Sequence, residues 1–438
     1  MKTKNNDDDK VLGLQSPSVH RLGASSLMTW IEPEINSTEI LLVGRDPGSN
    51  EVKQGRPFVG ASGRLLDTCL GQAGLRRKDV SLANVVGRQP PGNNFRRHNR
   101  DDVERGRREL EDLVENLRPN VVLALGNEAS FALVPGWPSE DDTIFTASGI
   151  QERRGYFWKG IHGAKVITTT HPSSVLRAGG EEGRGAAGAI AQMLFTYDLQ
   201  RMASERQHPE LRRPERRVEV VDTIEKGREA IDELLKAGFA ACDIEIWDND
   251  RLQCVGFAPV SGRAFVFTEP TVDQAFYLLR DPSLRLCFHN GQFDTYFLKT
   301  RCAVDVQGYV DDTIVGFHCC WPELAGQGQA KSKRTEKSLR FLASLYTMDE
   351  WWKDYETDEA GMYYLNGLDC MITFDVHKEI QRLLSELSIP RRIYDHEMSL
   401  IGPVNTILER GILVDTDLLE RSVESLSARQ DDITNRLT

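Results

Sequence analysis

The run FAACDIEIW, residues 239–247, sets Asp243 and Glu245 one residue apart within an otherwise apolar stretch. Side chains alternate between the two faces of a strand, so both carboxylates fall on one face. Two acids buried side by side are costly unless cations pair with them, and a divalent metal is the simplest such partner. An edge strand with two solvated acids is the alternative, and the apolar residues ahead of Asp243 weigh against it.

Two further acids lie downstream. The segment LRLCFHNGQFDTYFL reads as a strand running into a helix, with Asn290 four residues before Asp294. At about 100° per residue those two side chains share a helical face. The segment NGLDCMITFDVHKEIQRLL has helical apolar spacing that turns Asp369 inward. In this order the three segments resemble the Exo I, Exo II and Exo III motifs of the DEDD exonuclease superfamily, in particular the proofreading domain of family A DNA polymerases. The resemblance implies an RNase H-like fold and a 3′ to 5′ exonuclease using two Mg2+ or Mn2+ ions. Asp243, Glu245 and Asp369 would be the metal ligands, Asp294 would act through water, and Asn290 would touch substrate. The family's tyrosine, four residues before the last aspartate, is Leu365 here. Tyr364, five before, reaches the water only if its helix starts after it, a late start that Asn366 and Gly367 permit. Asp312 in YVDDTIVGF is expected to be structural.

At 438 residues the chain exceeds one ordinary core, so at least two domains are expected. A net charge of −12 gives no global attraction to nucleic acid, so any such contact must be local. Basic residues cluster at Arg96, Arg97, Arg100, Arg105, Arg107 and Arg108, again at Arg212, Arg213, Arg216 and Arg217, and at Lys331, Lys333, Arg334, Lys337 and Arg340. Each cluster is either a phosphate-contacting face or a solvated one. The eight cysteines form no C-x-x-C pair, which argues against a zinc ribbon or a disulfide framework. Short apolar runs and a polar start predict neither membrane span nor secretory signal, so a reducing cytoplasm is expected, and the resemblance to a polymerase domain implies a bacterial or phage-infected cell.

From Glu39 apolar strand-like runs alternate with helical periods, which predicts an α/β domain with a parallel sheet over residues 31–204, after a tail at 1–30. Charge and proline make 205–217 read as a linker. A second α/β domain is expected over 218–390, opening with a helix near Thr223 and carrying a mobile loop, AGQGQAKSKRTEKS.

Three segments of the first domain, VGRDPGSNEVKQGRPFVGASGRLLD, NVVGRQPPGNN and HPSSVLR, resemble the ordered motifs of family 4 uracil-DNA glycosylases. The resemblance implies a parallel-sheet glycosylase fold that flips uracil from the stack. Phe58 would stack on the base, Asn84 would bond its amide edge, His171 would stabilise the departing anion and Glu51 would orient the water. Ser173 to Arg177 would enter the duplex or grip its backbone. Arg45 stands at a family acid, and the four cluster cysteines are missing, so no iron-sulfur cluster is expected. Active glycosylase and uracil-sensing domain both stay open. Residues 391–438, with Gly411, Ile412, Val414 and Asp415, resemble the start of a family A polymerase thumb. Polymerase activity is then absent from this chain, and a polymerase domain would come from a longer or split gene product. The alternatives are an RNA-directed exonuclease of ribonuclease D type and a DNA-binding accessory module without catalysis.

Overall fold

Five short apolar runs, buried almost throughout, build the first sheet of the computed structural model, as expected where helices cover both faces. They are β1 (Ile40–Gly44), β2 (Ser81–Asn84), β3 (Val121–Leu125), β4 (Phe157–Lys159) and β5 (Lys165–Thr169), in the order β2-β1-β3-β5-β4. All pairings are parallel except β4 with β5. The flanking helices include α1 (Ala61–Gln72), α2 (Arg100–Leu117), α3 (Ile150–Arg153), α4 (Pro172–Ala178) and α5 (Ala186–Ser204). Alternation along β1 feeds two cores. Leu41 and Val43 pack in the cluster that holds Val103, Leu110 and Val114 of α2, whereas Ile40 and Leu42 join Leu66 of α1 and Phe195 of α5. Asn99 caps α2 by accepting from the Asp101 amide, and Arg118 ends it in a left-handed turn before Pro119.

The structure describes residues 30–179, 185–247, 251–324, 337–354 and 358–437. Residues 1–29 of the expected tail, and 325–336 of the Gly- and Lys-rich loop with Lys331, Lys333 and Arg334, fall outside them.

The second sheet is mixed, with β6 (Arg217–Val221), β7 (Phe239–Trp247), β8 (Arg251–Val260), β9 (Arg263–Phe267), β10 (Arg285–Phe288) and β11 (Tyr309–Asp312) in the order β11-β10-β7-β8-β9-β6. Strand β8 runs antiparallel to β7 and β9, and the other pairings are parallel. This is an α/β domain of the expected RNase H-like kind. Strand β6 precedes the helix that was expected to open the domain; its alternating charges hid it. Helices α6 (Ile224–Ala237), α7 (Gly291–Cys302), α8 (Thr313–Cys320), α9 (Leu339–Tyr346) and α10 (Glu359–Glu386) follow, then α11 (Arg391–Ser399), α12 (Ile401–Arg410) and α13 (Thr416–Leu437). Gly256 of β8 lets α10 come close, since a Cβ there would stand 2.2 Å from Asn366 Oδ1 and 2.6 Å from Cys370 Sγ.

Residues 205–217 are tied down rather than free. Glu205 accepts from Lys165 and Arg212, Arg213 pairs with Glu350, and Arg216 bridges Asp349 and Asp375. Arg217 pairs with Glu219, so each arginine of this cluster has a protein carboxylate partner, with Arg216 buried and Arg212 and Arg217 largely exposed. The two sheets' domains also share a core, in which Tyr156 packs with residues of α9 and α10. Among the described residues no helix is long and apolar enough to cross a membrane.

Candidate functional site

In β7, Asp243 pairs with Gly256 and Glu245 with Cys254, so the two acids rise from one face beneath α10. Helix α10 brings in Asp369, and one carboxylate oxygen from each of the three residues lies within 4.8 Å of the others. Asp294, in the first turn of α7, accepts from the Ile244 amide at 3.2 Å and so braces the strand between the two acids. The structure therefore brings all four predicted acids together.

The surroundings hold them in place. Asn366 donates from Nδ2 to Asp243 Oδ2 at 2.9 Å. Trp352 Nε1 donates to Asp369 Oδ1 at 2.6 Å, and Lys353 Nζ to Asp369 Oδ2 at 2.5 Å. Burial, then the Asp294 and Glu245 carboxylates, push Asp243 far above the usual carboxylate range. Burial and then Asp369 push Glu245 up to about 7, with Lys353 pulling the other way. Burial also raises Asp294 to about 8, against the opposing pull of the Ile244 amide. One ammonium is thus too little positive charge for this cluster. Oxygen-only donors in charge deficit fit a hard divalent cation, and Asp243, Glu245 and Asp369 can hold one.

Two expectations at this site change. Helix α10 begins at Glu359, not after Tyr364, so Tyr364 stands on a continuous helix about 140° around the axis from Asp369. Its side chain is partly exposed, and Leu365, partly buried, packs against the core. Asn290 takes φ +68° as the residue capping α7, so it does not share a helical face with Asp294. Asp312 is structural as expected, accepting from the Gly291 and Ile314 amides and the Tyr309 hydroxyl. Sequence reasoning missed Trp352, Lys353 and Asn366. Only Asn366 left a signal, three residues ahead of Asp369 on the same helical face.

The first domain gathers its candidates at the carboxyl ends of parallel strands, where open α/β sheets bind ligands. Gly44 ends β1, Asn84 ends β2, Gly126 follows β3 and His171 lies just past β5. A Cβ on Gly44 would stand 2.5 Å from Phe58 Cζ and 2.7 Å from Asn84 Oδ1, so both side chains converge over this glycine. Phe58 is buried, with φ +52°. A cleft of about 190 Å³ opens beside them, lined by Arg45, Glu128, Ile150, His171, Ser173 and Arg177 among others. His171 Nδ1 accepts from the Ser173 amide at 3.1 Å, which leaves the ring proton on Nε2. Burial, then Arg45, lowers His171 to about 4, so the imidazole is neutral at pH 7.

Glu51 was expected to orient water. Its carboxylate instead accepts from the backbone amides of Gly48, Val59 and Gly60, at 3.1, 2.9 and 2.6 Å, and so clamps the loop that presents Phe58. The acid that the sequence reading passed over is Asp46, whose side chain is 4% exposed between Arg45 and His98.

One sheet with a cleft at its strand ends, joined to a second sheet carrying carboxylates that can hold a metal, defines an α/β protein with two separate candidate sites. Residues 32–192 match the Uracil DNA glycosylase superfamily, and through them the chain belongs to that family. It is 38% identical over 138 residues to the type-4 uracil-DNA glycosylase of Archaeoglobus fulgidus, spanning 32% of this chain and 67% of that protein. It is also 38% identical over 140 residues to that of Thermotoga maritima, with the same shares. Among solved structures, the chain is similar to the catalytic core of RRP6 from Trypanosoma brucei, with 17% identity and a TM-score of 0.34 over 42% of this chain and 52% of that one. Escherichia coli RNase D, an exoribonuclease involved in structured RNA processing, gives 13% identity and a TM-score of 0.34, over 44% and 51%. The chain thus spans about half the length of these two structures.

Proposed function

We propose that the protein processes DNA with both domains: a metal-dependent 3′ to 5′ exonuclease in the second and uracil recognition with excision in the first. The observation that carries the nuclease reading is the convergence of Asp243, Glu245 and Asp369 within 4.8 Å, with Asp294 braced behind them. Two divalent ions, when bound there, supply an activated water and stabilise the leaving 3′ oxygen. The chain's own residues hold the ligands: Asn366 orients Asp243, while Trp352 and Lys353 orient Asp369. In this reading the activity is a proofreading-type release of nucleoside monophosphates. The thumb-like reading of 391–438 draws support from apolar side chains exposed on α12 and α13, such as Ile407, Leu408 and Leu426, which suit a polymerase-type partner surface.

In the first domain Phe58 stacks on a flipped uracil and Asn84 reads its amide edge. Water attacks C1′ as the bond to the base breaks; the bonding pair leaves with uracil, whose anion accepts a hydrogen bond from the neutral His171 Nε2–H. Glu51 is held by backbone amides, and Asp46, beside Arg45 of the cleft, is the acid we assign to orient that water. The test uses 5′-labelled single-stranded DNA and RNA, each with and without uracil, in Mg2+ or in EDTA. Stepwise shortening of DNA in Mg2+ only, with alkali-labile sites at uracil in either medium, is expected. Shortening of RNA alone would favour the ribonuclease D-type reading, and inertness in every arm would favour the accessory module.

A further inference from the structure

The two residues that grip Asp369 belong to a short strap, Trp351 to Asp354, which the first domain holds from its other side. Arg153, at the end of α3, donates from Nη2 to Asp354 Oδ2 at 2.5 Å, and its guanidinium lies 4.6 Å from the centre of the Trp351 ring. Tyr156 meets Trp351 edge to face at 5.5 Å and Trp352 at 6.2 Å, and its hydroxyl donates to the Arg340 carbonyl at 2.6 Å. Trp352 is 1% exposed, so its indole has no freedom except what these neighbours allow. Helix α3 also faces the other site: Ile150 and Gln151 line the cleft that holds His171, and the Ile150 amide donates to Asn127 Oδ1 at 2.9 Å. A single helical turn therefore touches the base cleft at one end and the strap at the other.

We propose that Arg153 and Tyr156 are positioning residues of the nuclease centre, acting through Trp351–Asp354 to fix Asp369 for metal binding, so that the first domain forms part of the second domain's site. This rests on the metal-centre reading above. A carboxylate whose two oxygens are held by Trp352 and Lys353 keeps one orientation only while those donors stay in place. Partners that orient metal ligands set affinity strongly, by roughly 10- to 100-fold when removed. Releasing the strap from Arg153 is expected to act on the metal without any change in the ligands themselves.

The test is a Mn2+ titration of the full chain followed by electron paramagnetic resonance, comparing the wild type with Asp243→Asn, Arg153→Ala, Arg153→Lys, Asp354→Ala and the double variant Arg153→Ala/Asp354→Ala. Wild type is expected to bind Mn2+ and Asp243→Asn to lose that binding. Equal titrations for these two would sink the metal-centre reading, and the proposal with it. With that reading intact, Arg153→Ala and Asp354→Ala are each expected to weaken Mn2+ about 10-fold. The double variant should be no weaker than either single one, and Arg153→Lys should recover part of the loss. Wild-type affinity in both single variants overturns the proposal. Asp354 is largely exposed, so its variant keeps the test available should Arg153→Ala fail to fold. Saturating Mn2+ should return nucleotide release in Arg153→Ala to the wild-type rate, whereas a lowered maximal rate with unchanged Mn2+ affinity contradicts a positioning role.

Discussion

At the scale of single residues, charge and protonation decide what each site can do. His171 is half-buried beside Arg45, and its folded value near 4 lies below the ordinary histidine value of 6.5. Above about pH 6.5 the ring is neutral in folded and unfolded chains alike, so its contribution to stability is fully present there; it is lost as pH falls toward 4, where the unfolded chain takes up the proton first. Uracil release is therefore expected to stay flat from pH 6 to 8 and to drop only near pH 4, measured as alkali-labile sites against pH. A drop centred on 6.5 as the pH falls would show that the ring titrates at its ordinary value and contradict the lowering by burial and Arg45. At the other site, Trp352→Phe keeps the ring but removes the donor to Asp369, and Mn2+ affinity is expected to fall about 10-fold by titration. The four acids were legible because each stands at a fixed phase of a strand or helix. Trp352 and Lys353 were not, because they reach Asp369 from an irregular segment whose course only tertiary packing sets. Glu51 was assigned to chemistry for lack of any sequence signal that three backbone amides converge on it.

At the scale of elements, the approach of α10 to β8 sets the site. Gly256→Ala would force a methyl into Asn366 and Cys370 and is expected to cost about 1–3 kcal/mol in urea unfolding, with weaker Mn2+ binding as Asn366 leaves Asp243. Unchanged unfolding would mean that α10 has room to shift. Most strands were readable from apolar runs and period-two alternation. The exceptions had physical reasons: β4 and β11 are only three and four residues long, and β6 alternates charge with valine on an edge. The late start expected for α10 failed because Asp358 caps the helix earlier, accepting from the Gly361 amide at 2.7 Å and carrying helical geometry through Tyr364.

At the scale of the whole molecule, composition separated two α/β domains but did not show how firmly they are joined. A proline- and arginine-rich stretch reads as a tether until its carboxylate partners, 130 and more residues away, are known. Arg216 is 6% exposed between Asp349 and Asp375, and Arg216→Ala strands both acids; a loss of about 3–5 kcal/mol is expected, read by chemical denaturation. Arg154 and Asp198 form a further buried pair across from Ser344. With Tyr156 in a core shared by both domains, calorimetry is expected to give one cooperative transition, and two well-separated ones would contradict this docking. The central claim, that the carboxylates of β7, α7 and α10 form a metal-dependent nuclease centre, is tested most directly by nucleotide release from a 3′-labelled single strand of DNA in Mg2+, wild type beside Asp243→Ala. The account predicts release of the labelled terminal nucleotide by the wild type, abolished by EDTA and absent in Asp243→Ala. Release by Asp243→Ala at the wild-type rate would contradict it.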